Sequence, residues 1–230
     1  MKKLTTLLVT GMVLLFTNSF AQSAENASVK KGDDKKSAKT YLDLMVNVVS
    51  TNIHYGGSNS ALSDYKKSMN GIQAGASFQA GITPAFSLVS EFYFMRKGGR
   101  VKANNPLSHH ESTLRLNTLE LPVLARFHVG KMYINAGPSI AYNLSGKNKI
   151  GDLSTKLSFG NSGEGIRRLD AGIQVGGGFE FPFRQKRIAL DIRYSHGLTN
   201  ISYSKELHNR GLMISVHFSK AWITNPLGKS

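Results

Sequence analysis

A run of strictly alternating residues at 169–181, LDAGIQVGGGFEF, most constrains what this chain can fold into. Its odd-numbered positions are mostly apolar, as at Leu169 and Phe181, whereas its even-numbered positions are polar or glycine, as at Asp170 and Glu180. This period of two predicts a β-strand with one oily and one polar face. The run exceeds the mean strand of about five or six residues. It is also long enough to cross a bilayer as a tilted strand, which takes roughly 9–11 residues.

The same alternation recurs along the chain and predicts eight strands with no helical periodicity between them. They lie at about 41–49, 71–82, 86–96, 114–127, 132–144, 169–181, 187–195 and 211–218. Long polar connections alternate with short turns, and the long ones are 50–70, 97–113, 145–168 and 196–210. Outer-membrane hairpins alternate in this way, with short periplasmic turns and long external loops. The sequence therefore predicts an all-β fold, an eight-stranded antiparallel up-and-down transmembrane β-barrel at 40–218, with a tail at 219–230.

Alternation alone does not say which face is outside, because a secreted lipocalin-like calyx also has eight strands and encloses an apolar ligand. The charges on the polar face favour the membrane barrel, since the cramped interior of eight strands is filled by side chains. We expect them to form a structural polar network in the lumen, rather than a catalytic cluster, because buried carboxylates are usually paired. The predicted network consists of Asp43, Glu91, Glu120, Arg126, Asp170, Asp191 and Arg193.

Aromatic side chains also favour lipid on the outside, because membrane barrels carry an aromatic girdle at each interface. In the sequence they gather near both ends of the oily faces. The turn-side group is Phe86, Phe127, Phe179, Phe181 and Phe218, and the loop-side group is Phe94, Tyr142 and Tyr194.

The N-terminal segment 1–21 has the form of a secretory signal peptide. Basic Lys2 and Lys3 precede an apolar run at 4–16, and small residues lead to Ala21. That run is shorter than the roughly 20 residues of a spanning helix. Segment 22–39 is charged and aperiodic, which predicts a flexible periplasmic lead-in. Export argues against a nucleic-acid partner, although the net charge is +15.

No catalytic or cofactor chemistry is predicted. The chain has no cysteine, which excludes disulfides, thiolate metal sites and cysteine nucleophiles. His109-His110-Glu111 lies in a predicted loop and lacks a fourth ligand, so we predict no metal site. The glycines at 176–178 lie within a strand with no helix after it, unlike a phosphate-binding loop. We expect a protein that is not an enzyme.

The predicted loop at 145–168 carries more basic than acidic residues. Basic groups near an anionic leaflet are attracted to it, so we expect contacts with lipopolysaccharide. The candidate residues are Lys147, Lys149, Lys156, Arg167 and Arg168.

Two segments resemble a known family. Segment 90–98, SEFYFMRKG, resembles the E-L-x-Y-x-x-K-G signature of PorT-like outer-membrane β-barrel proteins, often called porin-family proteins of Gram-negative bacteria. Segment 116–124, LNTLELPVL, resembles that family's L-x-Y-L-E-I-P-L-L strand, with Thr118 where an aromatic is usual. The resemblance covers roughly 40–218 and implies an outer-membrane barrel. Members mostly lack an assigned activity, and one branch takes part in protein secretion.

The sequence thus predicts an exported envelope protein whose long external loops perform a structural or recognition role. A small-solute pore, a PorT-like secretion component and an outer-membrane enzyme are the alternatives. Eight strands argue against a pore, because aqueous channels occur at about 16–18 strands.

Overall fold

A computed structural model describes residues 40–161, 165–183 and 186–221. The predicted signal peptide at 1–21 and lead-in at 22–39 lie outside these residues, as does most of the predicted tail, at 222–230. Among the described residues, no helix is both long enough and apolar enough to span a membrane.

The regular secondary structure of the described residues comprises ten strands and one 3-10 helix. The strands are β1 (Tyr41–Tyr55), β2 (Lys66–Lys67), β3 (Met69–Thr83), β4 (Phe86–Val101), β5 (Ser112–Val129), β6 (Met132–Ile150), β7 (Leu153–Lys156), β8 (Leu169–Phe183), β9 (Lys186–Gly197) and β10 (Leu207–Ala221). The helix η1 (Gly57–Tyr65) lies between β1 and β2.

Eight long strands form a closed antiparallel barrel in the order β1-β3-β4-β5-β6-β8-β9-β10. Closure comes from β1, which pairs with β3 on one side and with β10 on the other. The two short strands extend the loop end, where β2 pairs with β4 and β7 pairs with β6. The predicted eight-stranded up-and-down barrel is therefore confirmed.

Most strands run further at the loop end than predicted. β1 ends at Tyr55 rather than near 49, and β6 ends at Ile150 rather than near 144. The oily alternation fades in these extensions, but cross-strand hydrogen bonding needs no oily face outside a bilayer.

The prediction of a loop over all of 145–168 is wrong, because 145–150 belongs to β6 and Leu153–Lys156 forms β7. At the other end, β10 continues three residues beyond Phe218, to Ala221.

The oily face points outwards. Leu44 is 72% exposed, Ile72 70% and Ile134 64%, whereas the intervening Asp43, Gln73 and Asn135 are at most 2% exposed. In the turn-side aromatic group, the rings of Phe86 and Phe127 lie 5.0 Å apart and those of Phe179 and Phe181 lie 6.4 Å apart. The prediction that the oily face points outwards and the charged residues point inwards is confirmed, which argues against a calyx whose oily faces enclose a ligand.

Two prolines on adjacent strands interrupt the hydrogen-bond ladders without changing their register. Pairing of β4 with β5 lapses between Ser90↔Val123 and Tyr93↔Glu120, a gap that includes Pro122. Pairing of β5 with β6 lapses between Pro122↔Ser139 and Ala125↔Ala136, a gap that includes Pro138. Proline has no backbone N–H to donate, so the interruption is local.

The interior also holds two apolar layers that the sequence analysis did not anticipate. A middle layer on β1, β4 and β10 comprises Met45, Val49, Tyr93, Met95 and Met213. An upper apolar cluster at the loop end comprises Ile53, Tyr55, Leu62, Val101, Leu116, Ile166, Ile201 and Leu207.

Candidate functional site: an ionic lumen and an external basic band

The turn-side end of the lumen is organised by Arg187 on β9. Its guanidinium donates to Asp43, to Glu180 at 2.6 Å and to the side-chain oxygen of Gln79 at 3.0 Å. It also lies 3.9 Å from the ring centre of Tyr41. A planar cation with five donors can satisfy several acceptors at once, which makes arginine suited to a buried hub.

The middle of the lumen is organised by Arg193, which is 1% exposed. It donates to both carboxylate oxygens of Glu91, at 2.8 and 2.9 Å, and to Asp191 at 2.8 Å. Asp191 also accepts hydrogen bonds from Tyr133 at 3.0 Å and from Asn135 at 2.9 Å. These contacts satisfy buried charges that would otherwise be costly.

Arg126 links these two layers. Its guanidinium lies 3.6 Å from the Asp191 carboxylate and 3.9 Å from that of Glu180. It donates to Gln79 at 2.9 Å and stacks 3.9 Å from the ring centre of Tyr133.

The loop-side layer is centred on Lys97. Its ammonium donates to Asp170 at 3.0 Å and to Glu120 at 3.3 Å. Asp170 also accepts hydrogen bonds from the side chains of Asn209 at 2.7 Å and Thr199 at 2.8 Å. The cavity beside this layer measures about 20 Å³, which is room for about one water molecule.

All seven residues predicted for the lumen are buried, and the structure divides them among these layers. Asp43 lies in the turn-side layer, while Glu91, Asp191 and Arg193 lie in the middle one with Arg126 beside them. Glu120 and Asp170 lie in the loop-side layer.

Sequence reasoning missed Lys97, Arg187 and Glu180 as network members. Lys97 is the first residue of the predicted loop 97–113, Arg187 is the first residue of the predicted strand 187–195, and Glu180 is on the polar face of the predicted strand 169–181. The alternation of side chains along a strand could have identified the two basic residues. Lys97 is an even number of residues from Glu91, and Arg187 is an even number from Asp191 and Arg193, so each points to the same face as those lumen residues.

A second charged site lies on the outside of the barrel. Arg115 on β5 is directly opposite Lys147 on β6, which is directly opposite Lys156 on β7. Residues directly opposite in an antiparallel pair share a face, and all three are exposed. Lys149, two positions from Lys147, is exposed on the same face. We call these four residues the basic band.

A further cation, Arg96, flanks the band on the same side. Arg96 on β4 donates to Asn117 at 3.3 Å, and Asn117 donates to Ser145 at 2.9 Å, so a polar row lies directly below the band. Exposed Phe94 is two residues from Arg96 on the same face of β4. The band therefore lies just above the loop-side aromatic residues.

The five basic residues predicted to contact lipopolysaccharide are not all in one place. Lys147, Lys149 and Lys156 lie in the band, on strands rather than in a loop. Arg168 is next to β6, where it donates to the Asn143 carbonyl at 3.2 Å and lies 4.6 Å from the ring centre of Phe159. Arg167 turns to a different loop and lies 4.9 Å from the ring centre of Tyr203.

Band member Arg115 was not predicted, because the pattern at 114–127 was interpreted as a single membrane-spanning strand. The sequence does indicate its direction. Arg115 is an even number of residues from the oily Leu119 and Leu121, so its side chain also points outwards. The described residues contain no group of three or more histidine or acidic side chains that could hold a metal ion.

Residues 20–203 match the family described as "Outer membrane protein beta-barrel domain". The chain belongs to this family. Membership implies location in the outer membrane for this barrel. No curated protein matches the chain.

Several solved structures of bacterial barrels are similar to this member of the family. The outer membrane protein OprG from Pseudomonas aeruginosa is 11% identical with a TM-score of 0.49, the match covering 83% of this chain and 98% of OprG. Ail, the attachment invasion locus protein of Yersinia pestis, is 10% identical with a TM-score of 0.43 and coverages of 80% and 99%. Neisserial surface protein A is 11% identical with a TM-score of 0.43 and coverages of 77% and 95%.

Proposed function

We propose that this protein is a non-enzymatic, non-conducting outer-membrane barrel that holds lipopolysaccharide phosphates on the basic band. The observation that carries the proposal is the row Arg115–Lys147–Lys156, in which like charges lie directly opposite across two strand pairs. Like charges in that position destabilise a sheet when no counter-charge is present. An anionic group between them turns the repulsion into attraction.

The position of the band supports a lipid headgroup as the anion. It lies just above the exposed Phe94 and Tyr142, where an aromatic girdle meets the interface. Basic groups at such a surface are attracted to anionic lipid by about 1 kcal/mol each. The side chains belong to paired strands, so the cations are held in a fixed array.

Binding to lipopolysaccharide by band variants tests the proposal. The triple variant Arg115→Gln/Lys147→Gln/Lys156→Gln removes the row. Three groups at about 1 kcal/mol each correspond to roughly a hundredfold weaker binding, measured by titration with lipopolysaccharide micelles. The wild-type affinity should also fall with added salt more steeply than that of the variant.

A control removes two exposed lysines at the turn end, with Lys131→Gln/Lys186→Gln. Because these lysines lie at the opposite end of the barrel from the band, this control should bind like wild type. Equal weakening by the control and the band variant, or unchanged binding by the band variant, overturns the proposal. Dephosphorylated lipopolysaccharide should bind to wild type as weakly as intact lipopolysaccharide binds to the band variant.

The absence of conduction is proposed on the basis of the filled lumen. Three ionic layers, organised by Arg187, Arg193 and Lys97, occupy the bore of the described barrel. The finer kinship with PorT-like proteins also stays a prediction, supported by the two sequence segments at 90–98 and 116–124.

A further inference from the structure

The positive charge on the outside of the barrel extends sideways beyond the basic band. Lys67 on β2 lies directly opposite Arg100 on β4. Arg100 lies directly opposite Thr113 on β5, which in turn lies directly opposite Lys149 of the band on β6. These four positions form a line across four adjacent strands. We call Lys67, Arg100 and Lys149 the second row, and Arg115, Lys147 and Lys156 the first row.

The second row points to the same side of the sheet as the first row. Arg100 precedes Val101, which is buried inside the barrel, so the Arg100 side chain points outwards. Directly opposite residues share a face, which puts Lys67 on the outside as well. Along β6, Lys149 is two residues beyond Lys147, away from the aromatic girdle, so the rows lie about 7 Å apart at about 3.4 Å per residue.

Neither row has a counter-charge in the part of the chain that the structure describes. None of the six side chains forms an ion pair with a described carboxylate. The Nε atom of Arg100 is buried, yet no described residue accepts a hydrogen bond from it. The exposed acidic residues in the adjoining connections, Asp64, Glu111 and Asp152, lie in η1 or in turns rather than on the rows.

The second row repeats the unfavourable arrangement of the first row. Lys67 and Arg100 are like charges directly opposite each other, as are Lys147 and Lys156. Such pairs destabilise a sheet unless an anion lies between them. The outer face therefore has two separate places, at β2–β4 and at β6–β7, where an anion is favoured.

The distance between these two places sets the number of anionic groups. The middle of the β2–β4 pair and the middle of the β6–β7 pair are three strand spacings apart, or about 14 Å at about 4.8 Å each. A phosphate accepts charged hydrogen bonds at about 2.7–2.9 Å. One phosphate held by Lys147 and Lys156 therefore leaves Lys67 and Arg100 unneutralised.

We propose that the second row is a second phosphate site, so that the outer face binds a lipid whose sugar headgroup carries two phosphates. This second site rests on the proposed function, in which the first row holds a lipopolysaccharide phosphate. The two phosphates stand apart on one headgroup, as the two like-charge pairs stand apart on the sheet. A phospholipid with a single phosphate occupies one row only, so the two rows together select the bisphosphorylated lipid.

Bisphosphoryl and monophosphoryl lipid A are the probes, because they differ in the second phosphate. Full-length protein is titrated with mixed micelles that contain either form at the same mole fraction. Wild type should bind the bisphosphoryl form at least about tenfold more tightly, since the second phosphate gains the second row. Lys67→Gln/Arg100→Gln should weaken bisphosphoryl binding roughly thirtyfold and bring the affinities for the two forms close together.

Two further double variants are the controls. Lys67→Arg/Arg100→Lys keeps both charges and should keep the preference for the bisphosphoryl form. Lys131→Gln/Lys186→Gln removes two exposed lysines at the turn end and should change neither affinity. The heat-dependent gel shift of barrels gives the folded fraction of every variant.

Three results overturn the second site. They are equal binding of the two forms by wild type, an unchanged preference in folded Lys67→Gln/Arg100→Gln, and a lost preference in folded Lys67→Arg/Arg100→Lys. Each of them leaves the first row as a single phosphate site. The proposed function fails on a different result, unchanged lipopolysaccharide binding by the triple variant of the first row, so the two failures are distinguishable.

Discussion

Arg193 on β9 and Glu91 on β4 are 102 positions apart in the chain, yet two guanidinium nitrogens lie 2.8 and 2.9 Å from the two carboxylate oxygens. In the barrel order, β4 and β9 are four strands apart in either direction, so the pair reaches across the full bore. Both residues are 1% exposed. A bidentate arginine–carboxylate pair is strong and geometrically specific, so this pair joins opposite walls of the barrel.

Removing one partner of this pair should destabilise the barrel more than removing both. Arg193→Leu leaves Glu91 buried and uncompensated, which costs about 3–5 kcal/mol of unfolding free energy. The double variant Arg193→Leu/Glu91→Leu should recover part of that loss. Urea unfolding in lipid vesicles gives the four values of the cycle. A double variant that is no more stable than Arg193→Leu would contradict this prediction.

A charge introduced on the oily face should lower the unfolding free energy much more in the middle of the barrel than at its loop end. Val46 on β1 is 53% exposed and lies opposite Val216, which is between Leu212 and Phe218 on β10. Leu153 on β7, at the loop end, is 72% exposed. Val46→Arg should lower the unfolding free energy by about 2–4 kcal/mol, the cost of arginine at the bilayer midplane. Leu153→Arg should change it by less than about 1 kcal/mol. Similar losses in vesicles would place β7 within the bilayer.

Relieving the like-charge row should stabilise the barrel in the absence of lipopolysaccharide. Lys156→Gln removes the charge opposite Lys147 and should raise the unfolding free energy by about 0.2–1 kcal/mol in zwitterionic vesicles. In vesicles containing lipopolysaccharide the gain should vanish or reverse. Ser154→Gln, on the same short strand and opposite Lys149, is the control. A gain that is the same in both lipids would speak against a bound anion.

Gly137 should not tolerate a side chain. A Cβ at Gly137 would lie 2.0 Å from the Val123 carbonyl oxygen and 2.9 Å from the Leu124 Cα, both of them backbone atoms that cannot rotate away. Gly137→Ala should therefore lower the unfolding free energy by about 1–3 kcal/mol, the usual cost of overpacking. At Gly160 the nearest atom would be 3.7 Å away, so Gly160→Ala should leave stability unchanged. The same unfolding experiment compares the two.

The filled bore predicts that the protein does not conduct ions. Wild type reconstituted in a planar bilayer should show no steady stepwise currents, because Arg187, Arg193 and Lys97 bridge the lumen at three levels. Stepwise openings in proportion to the amount of folded protein would show that the network rearranges in the membrane, and would restore the pore as a function.

Periodicity carried most of the fold. The first strand has apolar residues at alternate positions, Leu42, Leu44, Val46 and Val48. Such an oily face must contact either lipid or an apolar ligand. The charge of Asp43 on the other face favours lipid, because charged side chains then lie in the lumen. Strand ends were harder to predict, because beyond the aromatic residues pairing no longer requires an oily face. For that reason Lys147 and Lys156 were assigned to a loop when they belong to β6 and β7.

Local sequence by itself determined which residues face the lumen and which face out, since a strand's side chains must alternate. It also determined that the buried charges needed partners, because an isolated buried charge is costly. Only the tertiary structure decided which partners they have. Closure of the sheet sets β4 opposite β9 and joins Glu91 to Arg193, and the register of three neighbouring strands aligns Arg115, Lys147 and Lys156. The inward fold of the loops over the upper apolar cluster was likewise beyond any local pattern, because it depends on contacts between residues far apart in the chain.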